Sequence, residues 1–327
     1  MIFFAVLLAL LLDQARPMTH QNLVHVASRG WIRWVKRSLD AGQSHHGIMV
    51  WVAGVAVPAM VVAGVHITLR TYSVILTFVW DVLVLYFTLG FRQFSHHFTD
   101  IRNALERGDD SEARQVLAEW KQIPVERQPE SELLRHAIEH SVIAVHQHVL
   151  GVLVCFLMCW IAGFGPAGAV LFRLADYLAQ SCNPDAPKVD AVPSSDSVSQ
   201  VAAKAWGWVN HLPARATALA FAVVGNFEEA VASWRQDAVL FNEPNQGVVL
   251  AATAGALNVR LGRRVAPSPS STSGRMSSLA ELASPDANAL GREPQLAHLA
   301  SLVGLVWRSV VLWLVFLALL TLANLVG

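Results

Sequence analysis

The stretch Gly47–Leu69, "GIMVWVAGVAVPAMVVAGVHITL", and its sequel Ser73–Phe91, "SVILTFVWDVLVLYFTLGF", decide the fold. Both are continuous apolar runs without the alternation of a strand, and each comes close to or exceeds the roughly 20 residues a helix needs to cross the hydrocarbon core of a bilayer. Only Arg70, Thr71 and Tyr72 separate them. So short a connection forces the two segments into a helical hairpin. Asp81 lies in the middle of the second run, where a charge costs at least ~2.5 kcal/mol on insertion scales, so it is expected either to face a partner or a wet cavity or to be protonated and tolerated there.

Outward from this hairpin the same pattern recurs. Ser141–Phe164 is a third span, Ala169–Leu178 runs back from the turn "GFGPAG" as a shorter one, and Leu219–Val224 belongs to an apolar helix. Leu302–Val326 is a terminal span interrupted only by Arg308. The opening "MIFFAVLLALLLDQARP" has no basic leader and no small-residue cleavage site, and is short for a span, so it reads as a short or tilted anchor helix. With 54% hydrophobic and 15% charged residues in 327, the chain is too apolar for an ordinary soluble enzyme and too polar for spans alone. The expected fold is therefore all-α, a polytopic integral membrane protein whose partner is the lipid bilayer. Its expected organisation is a membrane bundle over 1–181, a linker over 182–200, membrane-associated helices over 201–265, a second linker over 266–290 and a C-terminal span over 291–327. The linkers are set by the Pro- and Ser-rich stretches "NPDAPKVDAVPSSDSVSQ" and "APSPSSTSGRMSSL".

Charge orients the bundle. Asp13–His46 and Arg92–His140 hold most of the arginines and lysines near the early spans, whereas the turns carry only Arg70, so both basic segments are expected in the cytoplasm and the protein in the bacterial inner membrane. The second segment, about 92–140, reads as a helical hairpin, with Gly108 closing one helix and Asp109 and Glu112 boxing the start of the next. A net charge of zero leaves no electrostatic footprint for nucleic acid. Cys155 and Cys159, one turn apart in an apolar run, read as small packing residues.

Two motifs point to ligand chemistry. In "NHLPARATAL", Asn210 and Pro213 mark a helix entry and Arg215 stands in its first turn, where the helix dipole disfavours a cation unless an anion is shared. In "NEPNQGVVLAATAGALNVRLG", Asn245, Gly247 and Gly255 sit in a helix of residues that bury little area, a composition that suits either a plain Ala-rich surface helix or close approach of a ligand or of another helix. Asn226 and Glu229 cap a further helix. His136 and His140 have the one-turn spacing of a zinc pair but no third ligand, so no metal site is assigned.

These motifs together resemble the CobD/CbiB family of membrane-bound cobalamin-biosynthesis proteins, which act as adenosylcobinamide-phosphate synthases. "NEPNQGVVLAATAGALNVRLG" is similar to the family's Ser-Pro-Asn-Ala-Gly motif and its Ala-Ala-x-Ala-Gly-x-Leu continuation, "NHLPARATAL" to its Asn-x-x-Pro-Ala-Arg-x-Thr element, and "LGFRQFSHHFTDIRNALERGDDSEAR", with Arg92, to its Gly-x-Arg segment. The resemblance implies a corrinoid or another anionic small molecule as ligand and ATP-dependent amide coupling, with ATP and Mg²⁺ as cofactors if the activity is retained. The chain departs from the family where the carboxylates should stand. "KQIPVERQP" replaces the Gly-Arg-Asp-Thr loop, and the positions of other acids fall on Ile143, Ala144, Gln147, Trp206 and Gly207. Glu139, Asp176 and Asp237 are the acids left to replace them. The AmpE proteins, which also lack those carboxylates, resemble "WVNHLPARATALAFAVVGNFEEAVASW". The resemblance therefore implies either a divergent synthase or a non-enzymatic, AmpE-like membrane sensor.

Overall fold

The computed structural model describes residues 2–15, 23–40, 44–121, 129–183, 194–262 and 291–326. The described residues are helical throughout, and the one extended pairing is an isolated bridge between Val259 and Arg292. The sequence-predicted linker 266–290 lies outside the described residues.

The early hairpin forms as expected. α3 (Ser44–Trp51) and α4 (Val57–Tyr72) run together through a π turn at Val52–Ala56, and α5 (Val74–Thr88) returns from the extended Ser73. The returning helix is shorter than the apolar run suggests, because Leu89 is extended and the Gly90 N–H leaves the helix for the His148 carbonyl, 3.3 Å away. Asp81 does face a partner: it lies 2.8 Å from Nδ1 of His66, both side chains buried. Gly165, at φ +60, closes over that histidine, since a Cβ there would come within 2.2 Å of the ring. The turn between α9 (Gly151–Ile161) and α10 (Ala167–Ser181) thus packs against the first hairpin.

α8 (Glu130–Val145) continues through a second π turn, His146–Leu150, into α9, and this continuous helix is the centre of the bundle. Among the described residues three helices are long and apolar enough to cross a membrane: His45–Tyr72, Glu130–Ile161 and Leu296–Asn324. The middle one has 72% of its apolar window buried against 28% and 33% for the others, so it is the axis and they turn faces outward. Met60, Ile67, Ile75, Val315 and Leu319 on those outward faces and on α5 are exposed, as lipid-facing residues can be where exposure carries no hydrophobic penalty. α1 (Ile2–Ala15) is a short apolar helix at the far end of the terminal helix α15 (Leu296–Val326), where the Phe3 N–H reaches the Thr321 hydroxyl at 3.4 Å. The chain is an all-α membrane protein.

Two expected boundaries move. The hairpin predicted over 92–140 consists of α6 (Phe91–Glu106) and α7 (Asp110–Lys121), and the residues from Glu130 onward belong to the central helix. There Leu133, Leu134, Ala137 and Ile138 recur at helical spacing and are fully buried, which outweighs the charges on the opposite side. The linker predicted over 182–200 likewise ends early. α11 (Asp196–Val209) starts inside it, capped by the Ser195 hydroxyl, and the Ser195 N–H is anchored by the Asp40 carboxylate at 2.8 Å. That carboxylate follows α2 (Leu23–Leu39), 155 residues away, a partner no local pattern reveals.

The small-residue helix, α14 (Pro244–Leu257), explains its composition. A Cβ on Gly255 would lie 2.2 Å from the Glu229 carbonyl and one on Gly247 2.3 Å from that of Ala238. Gly225 is pressed against Ala256 in the same way. α14 thus meets α13 (Phe227–Asp237) backbone to backbone, while α12 (His211–Val224) packs beside them. Of the two uses that small residues allow, this helix shows close approach to its helical neighbours.

Candidate functional site

A cavity of about 1170 Å³ opens between α2, the α4–α5 hairpin, α8 with its π turn, α10 and the start of α14. That exceeds the 300–1,000 Å³ of ordinary small-molecule pockets. Its aromatic walls are Trp31, Phe87, Trp120 and Tyr177, with Val57, Val61 and Val84 between them. Its charged and larger polar groups include Arg29, Glu139, His140, Gln147, His148, Asn183, Glu243 and Gln246, and α10 supplies Arg173, Asp176 and Gln180.

The α10 group follows helix geometry. Residues 173, 176 and 180 share one face at i, i+3 and i+7, so a helix that is otherwise apolar turns a polar stripe to the cavity. Arg173 donates from Nη1 to Nδ1 of His148 at 2.6 Å and keeps a looser contact of 3.8 Å with Asp176. Asp176 in turn accepts from Gln180 at 2.9 Å. His148 belongs to the second π turn. Its anchor is His146, fully buried, with Nε2 donating to Asn210 Oδ1 at 2.7 Å and Nδ1 accepting from the Thr217 hydroxyl at 2.9 Å. Asn210 closes α11, so the entry of the Asn-x-x-Pro-Ala-Arg element is tied to the centre of the bundle.

Arg215 and Asn245, the key residues of the two sequence motifs, meet. Nη1 of Arg215 donates to the His211 carbonyl at 2.9 Å and to Asn245 Oδ1 at 3.2 Å, and Asn245 Nδ2 donates to the Gly207 carbonyl at 2.8 Å. Pro213 is buried in the first turn of α12. Neither Arg215 nor Asn245 lines the cavity, but Gln246, the neighbour of Asn245, does. Gly247 and Gly255 are packing positions against protein backbone. Asp81 is paired in the first hairpin, and the side chain of Arg92 is outside the described residues.

Glu139 lines the cavity and accepts from the Gly262 N–H at 2.7 Å, so the "RLG" that ends the small-residue motif is pinned to the central helix. Asp176 lines it as well, and Asp237 does not. Sequence reasoning missed Arg29, His148, Arg173 and Glu243 as site residues. The signal for Arg173 was present, a charged i, i+3 pair inside an apolar helix; nothing local marks the others. Among the described residues no three His, Cys, Asp or Glu side chains gather as a metal site. His140 is instead set edge-on to Trp120 at 4.4 Å.

Fold and site together define a membrane protein built of helices, with a large aromatic-walled cavity between them. The family model described as "CobD/Cbib protein" matches residues 2–266, and the chain belongs to that family. It is 28% identical over 332 residues to the "Cobalamin biosynthesis protein CobD" of Stutzerimonas stutzeri, covering 97% of each chain. It is 32% identical to the protein of the same description from Chromobacterium violaceum over 58% of this chain and 57% of that one. With the Mycobacterium tuberculosis protein it shares 50% identity over 66 residues, 19% and 21% of the two chains. No solved structure matches the chain significantly.

Proposed function

We propose that this chain is an inner-membrane protein of cobalamin biosynthesis, of the adenosylcobinamide-phosphate synthase type, and that the cavity receives a corrinoid. The cavity itself carries the reading. Its volume, its aromatic walls and its confined set of charged groups suit a large ligand that is apolar over most of its surface and charged at one edge. The reaction of this type joins a corrinoid carboxylate to an aminopropanol or its phosphate with ATP. Positions for two of its needs are on the wall: guanidinium groups for oxyanions and the carboxylates Asp176 and Glu243 for an ammonium group. Arg215, with Asn210, Pro213 and Asn245, keeps its anion role in this reading as a contact outside the cavity.

One observation favours a second reading. The acids do not gather into a cation site among the described residues, as expected of a relative that binds without turning over, in the manner supposed for an AmpE-like sensor. The two separate in one experiment with purified protein in lipid nanodiscs. Quenching of tryptophan emission by cobyric acid reports binding, and Mg²⁺- and ATP-dependent formation of the amide reports synthesis. Binding with synthesis supports the first reading and binding alone the second. Absence of saturable binding rejects both.

A further inference from the structure

Arg173 has bonding capacity that the protein does not use. Arginine offers five N–H donors and no acceptor, yet the hydrogen bond Arg173 makes to protein is Nη1 to His148, with Asp176 at the outer limit of an ion pair. Its Nε and Nη2 have no hydrogen-bond partner among the described residues, and neither is sealed from the space around it. The side chain is 16% accessible, and the space it borders is the cavity.

The surroundings hold that donor edge in place. The His148 ring accepts at Nδ1, which fixes the guanidinium plane from one side. Asp176 is turned partly to Gln180. Glu243 is bonded to Gln246 at 2.5 Å, and among the described residues the acid within ion-pair distance of Arg173 is Asp176. A second cation reinforces the field: the Arg29 guanidinium lies 5.7 Å over the ring of Tyr177, one turn along α10 from Arg173. Both arginines border the same cavity.

We infer that Arg173, supported by Arg29, is the specificity-determining residue of the cavity, reading an oxyanion, carboxylate or phosphate, on one edge of a ligand whose remaining surface rests on Trp31, Trp120 and Tyr177. Planar guanidinium donors match such an anion two bonds at a time, which a lone lysine cannot do. The inference rests on the proposed corrinoid site and names the chemistry by which that site selects.

The test compares two probes on the full chain in nanodiscs: cobyric acid, with one free carboxylate, and the same corrinoid with that carboxylate converted to a primary amide. The wild type is expected to bind the acid about tenfold or more tightly than the amide, and Arg173→Gln to bind the two alike. Inorganic phosphate that competes with the amide-capped probe in the wild type but not in Arg173→Gln would equally support the inference and identify the anion as phosphate. Equal binding of both corrinoids by the wild type without phosphate competition overturns it while the corrinoid reading stands, as does discrimination that survives in Arg173→Gln. If neither corrinoid binds, the corrinoid reading fails and the inference with it. Should Arg173→Gln not fold, Arg173→Lys and Arg29→Gln decide. Each is expected to lose several-fold of the preference for the acid, and full retention in both overturns the inference.

Discussion

Gly255 lacks a side chain because the Glu229 carbonyl stands where one would begin. Gly255→Ala must push apart two helix backbones, and overpacking of this kind costs about 1–3 kcal/mol, more than helix propensity returns. Gly64 is the matched control, because a Cβ there would meet nothing within 4 Å: Gly64→Ala should be neutral or slightly stabilising. Apparent melting in detergent checks the pair, and equal behaviour of the two variants would refute the packing role. Arg215 presents a different contrast. Its bond to Asn245 links α12 to the start of α14. If that bond is all it supplies, Arg215→Ala and Asn245→Ala should be equivalent and non-additive in stability. The anion role adds a separate effect. Arg215→Ala then weakens an anionic ligand about tenfold or more, as loss of a charge-assisted bond does, while Asn245→Ala does so less. Titration of both variants with inorganic phosphate measures the difference.

Elements were legible where their causes are local. Asp109 accepts from the Glu112 N–H at 3.0 Å and Asn226 from the Glu229 N–H at 3.3 Å, both as their spacing predicts, and Gly108 takes the positive φ of +74 that ends α6. Bonds to the Glu112 N–H and the Ser111 hydroxyl hold the Asp109 carboxyl below its usual range. A depressed carboxylate contributes stability above its unfolded pKa and loses it as pH falls through the folded one. The first turn of α7 should therefore lose amide-exchange protection as pH drops below about 4, whereas Asp109→Asn, which caps without titrating, should show no such loss. The π turn at His146–Leu150 was not legible, because what stabilises it comes from Asn210 and Thr217, far along the chain. His146→Leu would leave both buried polar groups unpaired, at about 1–3 kcal/mol each. Apparent melting should fall accordingly, and an unchanged melting temperature would refute the role of this buried network.

At the scale of the molecule, hydropathy made the spans legible, while the cavity was not, since its wall is assembled from separate segments that only folding brings together. The same assembly gives the charge-based orientation a physical test. The two tight turns lie at one end: Gly165 of the second packs on His66, near the tip of the first hairpin. At the other end Lys36 on the basic helix α2 donates to the Ser181 carbonyl at 3.1 Å, where α10 finishes. The basic helix α2 and the turns therefore occupy opposite ends of one bundle, and any membrane placement must separate them. If basic segments stay inside, the cavity, bordered by Arg29 and Trp120, opens on the cytoplasmic half, where ATP is available to a synthase. In a variant with Cys155, Cys159 and Cys182 replaced by alanine, a membrane-impermeant maleimide should label Thr71→Cys in intact spheroplasts. Ser111→Cys, in the first turn of α7, should be labelled only after lysis. The reverse pattern would place the cavity mouth outside the cell and remove ATP-dependent synthesis from consideration, leaving ligand sensing as the reading that fits.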